Sequence, residues 1–302
     1  KVVLADRKKA PVLLTYAFIT YNRSRYLKRS LPCVLRQIGN DELAEILVSD
    51  NASTDDTRAF VEKMQKTYKN LRYHCNEKNI DAEGNIHRAI EKSRGEYVIV
   101  AGDDDYFVDG ALHVVLSNIV RYRGVGLFYL GNENIPLRVY EGKGSSDWLR
   151  LVSYYMAWIT SVVMRRELYA QIPEPHRYDH TRLPQVYLEL EMLKQRPAFA
   201  VLHGFFFADE SGDHRPKGYN FAEVFIKNYF DILTATVKIP AAQLAAEKKR
   251  VMEESILPWC QRIKKDHVNL SLEGLFDIVA AYYGKEPYYA QLVDLLKGIV
   301  QG

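Results

Sequence analysis

The apolar run Tyr97-Val-Ile-Val-Ala101 ends in Gly102-Asp103-Asp104-Asp105, three carboxylates in a row directly after a strand-like segment. Adjacent carboxylates repel one another, so such a turn requires a counter-charge. Mg2+ or Mn2+ supplies it, because hard cations take oxygen ligands and Mg2+ combines one or two carboxylates with substrate phosphates. A diphosphate-bearing substrate is the natural partner, with the ion offsetting charge on a departing diphosphate. The plainer alternative is a solvated acidic turn that caps the next helix.

Three further polar clusters follow apolar runs or punctuate helices. Thr20-Tyr21-Asn22-Arg23 offers a hydroxyl, an amide and a cation, and Arg23 suits a phosphate. Asp50-Asn51 can hydrogen-bond a ring imide or a ribose hydroxyl, or can simply form a turn, since Asn tolerates the left-handed conformation. A carboxylate beside a pyrimidine imide suits uracil or thymine, which points to a UDP or dTDP donor. In the loop Asn79-Ile-Asp-Ala-Glu-Gly84-Asn85, glycine allows close backbone approach and Asn85 starts or caps a helix.

These clusters need a scaffold that brings them together. Apolar runs at 13–19, 46–48, 71–74, 97–101 and 125–130 alternate with helical spacing, as through Leu27, Leu31, Val34, Leu35 and Ile38. Ser53 and Asp56 read as a capping-box variant for the second helix. The alternation predicts an α/β fold, a doubly wound, mainly parallel sheet with helices on both faces. Ligands of such sheets bind beyond the carboxyl ends of the strands, where the clusters at 20–23, 50–51 and 103–105 all fall. A strand is expected at 158–164, a helix at 183–193 and a strand at 199–207. From residue 221 the pattern is helical to the end, which gives a boundary near 216: an α/β domain over 1–215 and a helical C-terminal module over 216–302. Its aromatics read as packing against the α/β domain or a homodimer partner. Lys248, Lys249, Arg250, Lys264 and Lys265 would instead support peripheral membrane contact.

Composition narrows the function classes. The 302 residues are 47% hydrophobic and 26% charged, an ordinary globular balance, and a net charge of +3 argues against nucleic acid as partner. Three scattered cysteines fit neither a disulfide framework nor a zinc knuckle and read as buried small hydrophobes in a reducing, cytoplasmic setting. The stretch 151–164 is too short to span a bilayer. No G-x-G-x-x-G, P-loop or G-x-S-x-G pattern is present, which disfavours a dehydrogenase, a P-loop NTPase and an α/β-hydrolase. A sugar-nucleotide pyrophosphorylase would need a glycine-rich loop after the first strand, and Thr20-Tyr-Asn-Arg-Ser24 has none.

Together, Phe18-Ile-Thr-Tyr-Asn-Arg23, Val48-Ser-Asp-Asn-Ala-Ser-Thr-Asp-Asp-Thr57, Asn79 with Gly84-Asn85, and Gly95-Glu-Tyr-Val-Ile-Val-Ala-Gly-Asp-Asp-Asp105 resemble family 2 glycosyltransferases of the GT-A fold. The Gly-Asp-Asp-Asp variant and Trp158-Ile-Thr-Ser-Val-Val-Met-Arg-Arg-Glu167 are similar to the abequosyltransferase-like branch that builds bacterial surface polysaccharides. The resemblance implies a metal-dependent, inverting transfer of a sugar from a nucleotide-diphosphate donor to a hydroxyl of a glycan or lipid-linked acceptor. It implies that Thr20, Asp50 and Asn51 hold the base and ribose and that Asn79, Gly84 and Asn85 shape the pocket floor. Asp103 would touch the ribose or the metal. Asp105 would be the main metal ligand with Asp104 as the competing choice, and His214 would complete the site. Gln185 stands where the family's general base is expected, and an amide cannot usefully accept a proton. Asp179 on the preceding loop is the replacement, Glu189 a weaker one. Without a base, the chain would be a non-catalytic nucleotide- or glycan-binding relative.

Overall fold

The computed structural model describes residues 12–208, 218–266 and 268–301. The first strands and helices alternate as β1 (Leu14–Thr20), α1 (Ser24–Ile38), β2 (Ala44–Asp50), α2 (Thr57–Gln65), β3 (Leu71–Cys75), α3 (Asp81–Lys92), β4 (Tyr97–Gly102), β5 (Tyr106–Phe107), α4 (Ala111–Arg121) and β6 (Leu127–Asn132). There follow β7 (Arg138–Lys143), α5 (Gly144–Leu151), β8 (Val162–Arg165), α6 (Arg166–Tyr169), α7 (Pro184–Gln195), β9 (Ala198–Gly204) and β10 (Phe207–Ala208). Helices α8 (Tyr229–Thr236), α9 (Ala241–Val251), α10 (Leu257–Lys265), α11 (Leu275–Tyr283) and α12 (Tyr289–Gln301) complete the chain.

The chain divides into two compact units. The first gathers the described residues of Lys1–Glu141, Trp158–Pro173 and Ala198–Asp209. Its eight-stranded sheet runs β3-β2-β1-β4-β8-β6-β9-β7. Pairing is parallel for β3-β2, β2-β1, β1-β4 and β6-β9, while β8 lies antiparallel between β4 and β6. β1 is buried at six of its seven positions and β2 at all seven, as parallel strands covered on both faces must be. Leu27, Leu31, Val34 and Leu35 of α1 and Leu112, Val115 and Ile119 of α4 pack into the core with Tyr16, Phe18, Ile46 and Ile99.

The second unit is more than a C-terminal tail: it joins Gly142–Ala157 and Glu174–Pro197 to the described part of Glu210–Gly302. The helical segments expected from residue 221 onward are present, but π-helical turns at Glu223–Asn228 and Met252–Ile256 interrupt two of them. Ring contacts within this unit join Phe221 to Trp259 and Phe230 to Tyr283, so much of its aromatic content forms its own core. The expected strand at 158–164 is shorter: Ile159–Ser161 is a 3-10 turn, and the strand begins at Val162. The expected strand at 199–207 is split into β9 and β10. Of the three cysteines only Cys260 is buried, and Cys33 and Cys75 are partly exposed. Among the described residues no helix is long and apolar enough to cross a membrane.

The core of the second unit contains a carboxyl group. Glu189 on α7 is fully buried with the Trp148 indole as its polar neighbour, and burial drives its carboxyl well above its ordinary value of 4.5. It therefore folds neutral, whereas the unfolded chain loses that proton once pH exceeds 4.5. Stability from this group is fully present below 4.5 and falls as pH rises toward the raised value, by about 1.4 kcal/mol per pH unit. Glu189→Gln is expected to gain stability relative to the parent as pH goes from about 5 to about 8. Thermal melts across that range check it, and parallel curves would refute it.

Candidate active site

Register builds the site. Thr20 at the end of β1 pairs with Asp50 at the end of β2, and Ile19 pairs with Gly102 at the end of β4. The residues that follow these three strands therefore emerge at one edge of the sheet. They border a cavity of about 260 Å3 lined by Thr20, Tyr21, Arg23, Asn51, Asp103 and Asp104, with Asn79, Asp81, Ala82 and Asn85 from the far wall. Arg23 precedes α1 and Asp81 opens α3, so two helix N-termini add positive potential at the cavity.

The three consecutive carboxylates divide between two sets of partners. Asp103, 2% exposed, accepts a hydrogen bond from Thr20 Oγ1 at 2.7 Å and pairs with the Arg23 guanidinium at 2.8 Å. Its backbone carbonyl accepts from Ser30 Oγ at 2.7 Å. Asp104 borders the cavity and lies 3.3 Å from the same guanidinium. Asp105 does not line the cavity; it accepts from Thr160 Oγ1 at 2.5 Å, and burial pushes its carboxyl above the ordinary carboxylate range. Thr160 also accepts from the Gly102 N–H at 3.1 Å, which fixes the turn. A Cβ on Gly102 would sit 2.8 Å from Asp104 Oδ1 and 2.9 Å from Asp105 Oδ2. A side chain at position 102 would therefore make the Asp104 and Asp105 carboxylates shift from where they fold back over the strand end.

The expected nucleotide contacts divide into cavity walls and supports. Thr20, Tyr21, Arg23, Asn51, Asn79, Asn85, Asp103 and Asp104 all border the cavity. Asp50 does not: it is fully buried, accepting from the Ser53 N–H at 2.8 Å and from the Tyr73 hydroxyl at 2.5 Å. The side chain presented next to the β2 end is the amide of Asn51, so a carboxylate facing a pyrimidine imide is not available from Asp50. Asn22 is also a support, accepting from the Thr54 N–H at 2.7 Å while its own N–H donates to Ser53 Oγ at 2.8 Å. That bond replaces the expected Ser53–Asp56 capping box; Asp55 instead receives the Thr57 N–H at 3.0 Å and the Ser24 N–H at 2.9 Å. Gly84 lies within α3, against Ile80, because the helix starts at Asp81.

An asparagine network holds the far wall. Asn51 Nδ2 donates to Asn79 Oδ1 at 2.8 Å and to the Asp81 carbonyl at 3.0 Å. Asn51 Oδ1 accepts from Asn76 Nδ2 and from the Ile80 N–H, both at 3.0 Å. Asn76 reaches on to Asn85 Oδ1 at 3.2 Å, and Asn85 exchanges bonds with Ser49 at 2.7 and 2.9 Å. Asn22, Ala52 and Asp81 have φ of 52°, 66° and 60°, so the connections after β1, β2 and β3 each contain a left-handed residue. The sequence pattern did not single out Thr160, Ser30, Asn76 or Asp81. A threonine and a serine in apolar surroundings were the only signs of the first two.

The candidate bases belong to the second unit. Asp179 Oδ2 lies 2.9 Å from His176 Nδ1. Gln185, 5% exposed at the start of α7, donates from Nε2 to the Ala157 carbonyl at 2.6 Å. His214 lies outside the described residues.

Comparison with known proteins agrees with this architecture. Residues 17–141, less than half of the chain, match the model of glycosyl transferase family 2. It is 32% identical over 99 residues to the GalNAc(5)-diNAcBac-PP-undecaprenol beta-1,3-glucosyltransferase of Campylobacter jejuni, covering 32% of this chain and 31% of the relative. It is 21% identical over 208 residues to abequosyltransferase RfbV of Salmonella typhimurium, covering 60% and 61%. These matches span less than two thirds of either relative. Among solved structures, Staphylococcus aureus TarS 1–349 in complex with UDP-GlcNAc aligns with a TM-score of 0.65 at 16% identity, over 96% of this chain and 90% of that one. The mannosyltransferase PcManGT of Pyrobaculum calidifontis, in complex with GDP-Man and Mn2+, aligns at 0.56 and 14% identity, over 96% and 86%. The fold is GT-A.

The strained turn after β2 yields a test. Ala52 has a Cβ in a conformation that costs an L-residue about 1–2 kcal/mol, and glycine would lose part of that gain to chain entropy. Ala52→Gly is expected to raise unfolding stability by about 0.5–1 kcal/mol. A higher urea midpoint with unchanged slope checks this; a lower midpoint would show that the Ala52 methyl matters more than its backbone.

Proposed function

We propose that the chain is a glycosyltransferase of bacterial polysaccharide or glycan synthesis. It would move a sugar from a nucleoside-diphosphate donor to a hydroxyl of a glycan or glycolipid, inverting the anomeric carbon and using Mn2+ or Mg2+. The observation that carries this reading is the cavity at the ends of β1, β2 and β4, where Arg23, Asp103 and Asp104 meet beside two helix N-termini. The nucleotide-sugar complexes of TarS and PcManGT, and the Mn2+ of the latter, support it.

The donor set suits a hard cation. Asp104 brings a carboxylate to the cavity, Asp103 brings another, and Gly102 leaves room for the Asp104 carboxylate to turn inward. Of the two competing ligands, Asp104 borders the cavity while Asp105 is bonded to Thr160. A divalent ion held there would offset the charge that develops on the departing diphosphate. Arg23 contributes a forked donor for phosphate oxygens, and Thr20 keeps Asp103 oriented by its hydrogen bond. Asn79 is the exposed amide of the far wall, while the Asn51 amide is fully engaged within the asparagine network, which leaves the choice among nucleotides open to measurement. Asp179 is the carboxylate assigned to take the acceptor proton, since the amide of Gln185 cannot usefully accept one.

The amide of Gln185 at the place of the expected base also motivates a second reading, a nucleotide- or glycan-binding protein that keeps the donor site without transfer. A panel of UDP-, dTDP- and GDP-sugars with Mn2+, Mg2+ or EDTA separates the two, scored by nucleoside-diphosphate release and by calorimetric binding. Turnover is expected with metal, to vanish in EDTA and to return with Mn2+. Asp104→Asn is expected to lower turnover by about a hundredfold or more, and Asp105→Asn by much less. Full-rate turnover in EDTA would remove the metal, and binding without turnover across the panel would favour the second reading.

A further inference from the structure

The loop after β3 and the outer part of α3 border a second cavity, of about 400 Å3, which shares no lining residue with the first. Its wall carries His74, Lys78, Arg88 and Lys92, together with the carboxylate of Glu77. Arg88 is 3.7 Å from Glu91, one helical turn away, while its Nε is buried without a hydrogen-bond acceptor among the described residues. Lys78 and Lys92 have no carboxylate partner among the described residues. Arg72 lies close by on β3, where Glu45 at 2.9 Å and the Lys92 carbonyl at 2.8 Å hold its guanidinium. The excess positive charge is felt inside the wall. Burial, and next the charge of Lys92, hold the His74 imidazole below its ordinary value, with Arg88 and Arg72 adding to the effect. The Asn76 amide oxygen, 3.2 Å from His74 Nε2, opposes that displacement.

Three like charges around one cavity, with one carboxylate among them, are stabilised by an anion. A guanidinium held only at 3.7 Å from one carboxylate, together with two ammonium groups, is the chemistry that selects phosphate oxygens. We propose that this second cavity is an anion site for a phosphate-bearing ligand, held by Lys78, Arg88 and Lys92, the phosphate being either free or borne by a lipid headgroup. The site is independent of the transferase reading, since none of its residues borders the donor cavity. An anion bound there would favour the imidazolium form of His74, so that side chain reports occupancy.

The test uses the full chain with labelled histidine, His74 being assigned by its loss in His74→Gln. Inorganic phosphate and pyrophosphate are titrated against chloride at matched ionic strength, and phosphatidylglycerol vesicles against phosphatidylcholine vesicles. A saturable change at His74 with an upward move of its titration midpoint is expected. Lys92→Gln and Arg88→Gln are each expected to weaken it about tenfold, while Lys92→Arg keeps it. Saturation by free phosphate or pyrophosphate supports a soluble ligand, and saturation by phosphatidylglycerol alone supports a lipid-borne one. No saturable response to either, a response matched by chloride, or an unchanged response in folded Lys92→Gln and Arg88→Gln would overturn the proposal.

Discussion

Three adjacent carboxylates at one strand end repel one another, and the division of their partners governs the chemistry of the first unit. Arg23 and Thr20 take Asp103, the same Arg23 reaches Asp104 at the cavity wall, and Thr160 takes Asp105. Each partner comes from a different part of the chain: the β1–α1 junction for the first two, the turn before β8 for the third. The parallel register of β1 with β2 and β4 places the first set, and the antiparallel insertion of β8 beside β4 places Thr160. The sheet order is thus a condition for charge balance as well as for packing. Arg23 gives the site an internal counter-ion, so a donor diphosphate meets a guanidinium already held near the acidic turn.

The loops of this edge are fixed by hydrogen bonds in place of an apolar core. Asn51, Asn76, Asn79 and Asn85 tie the segment between β3 and α3 to the end of β2. Asn22 ties the β1–α1 turn to the loop that leads into α2. Left-handed residues in the connections after β1, β2 and β3 cost energy that these bonds offset, the pattern expected where a site must be held in shape before ligand arrives.

Much of this was legible in the sequence because alternating apolar runs locate strand ends, and strand ends locate ligands in such sheets. Thr20, Arg23, Asn51 and the acidic turn were found that way. What periodicity cannot resolve is which of two or three neighbouring polar side chains turns inward. Of Asp50 and Asn51, both expected at the base and ribose, only Asn51 borders the cavity, because Tyr73, 23 residues beyond Asp50, claims the carboxylate. Asp104 and Asp105 are distinguished by Thr160, 55 residues beyond Asp105. Gly84 read as a turn, but α3 already begins at Asp81, a left-handed residue that local propensity does not announce. The second unit was partly legible: its later helices follow from spacing, while its claim on Gly142–Ala157 and Glu174–Pro197 rests on contacts distant in sequence.

Helix α3 serves both cavities, and its sequence is divided accordingly. Asp81, Ala82 and Asn85 in its first turns face the donor cavity, where the helix N-terminus and neutral amides suit a nucleotide. Arg88 and Lys92, near its other end, border the second cavity. Cations near a helix C-terminus are favoured by the macrodipole, which accounts for part of their placement. It does not account for Lys78, which comes from the loop before the helix, nor for the buried Arg88 Nε. Convergence of a loop cation with two helical ones on a single cavity is a tertiary arrangement. Asn76 and Ile80 border that cavity while bonding to Asn51 on the donor side, so the two cavities share one hydrogen-bonded partition. A ligand that reshaped the outer wall would therefore act on the same bonds that shape the inner one.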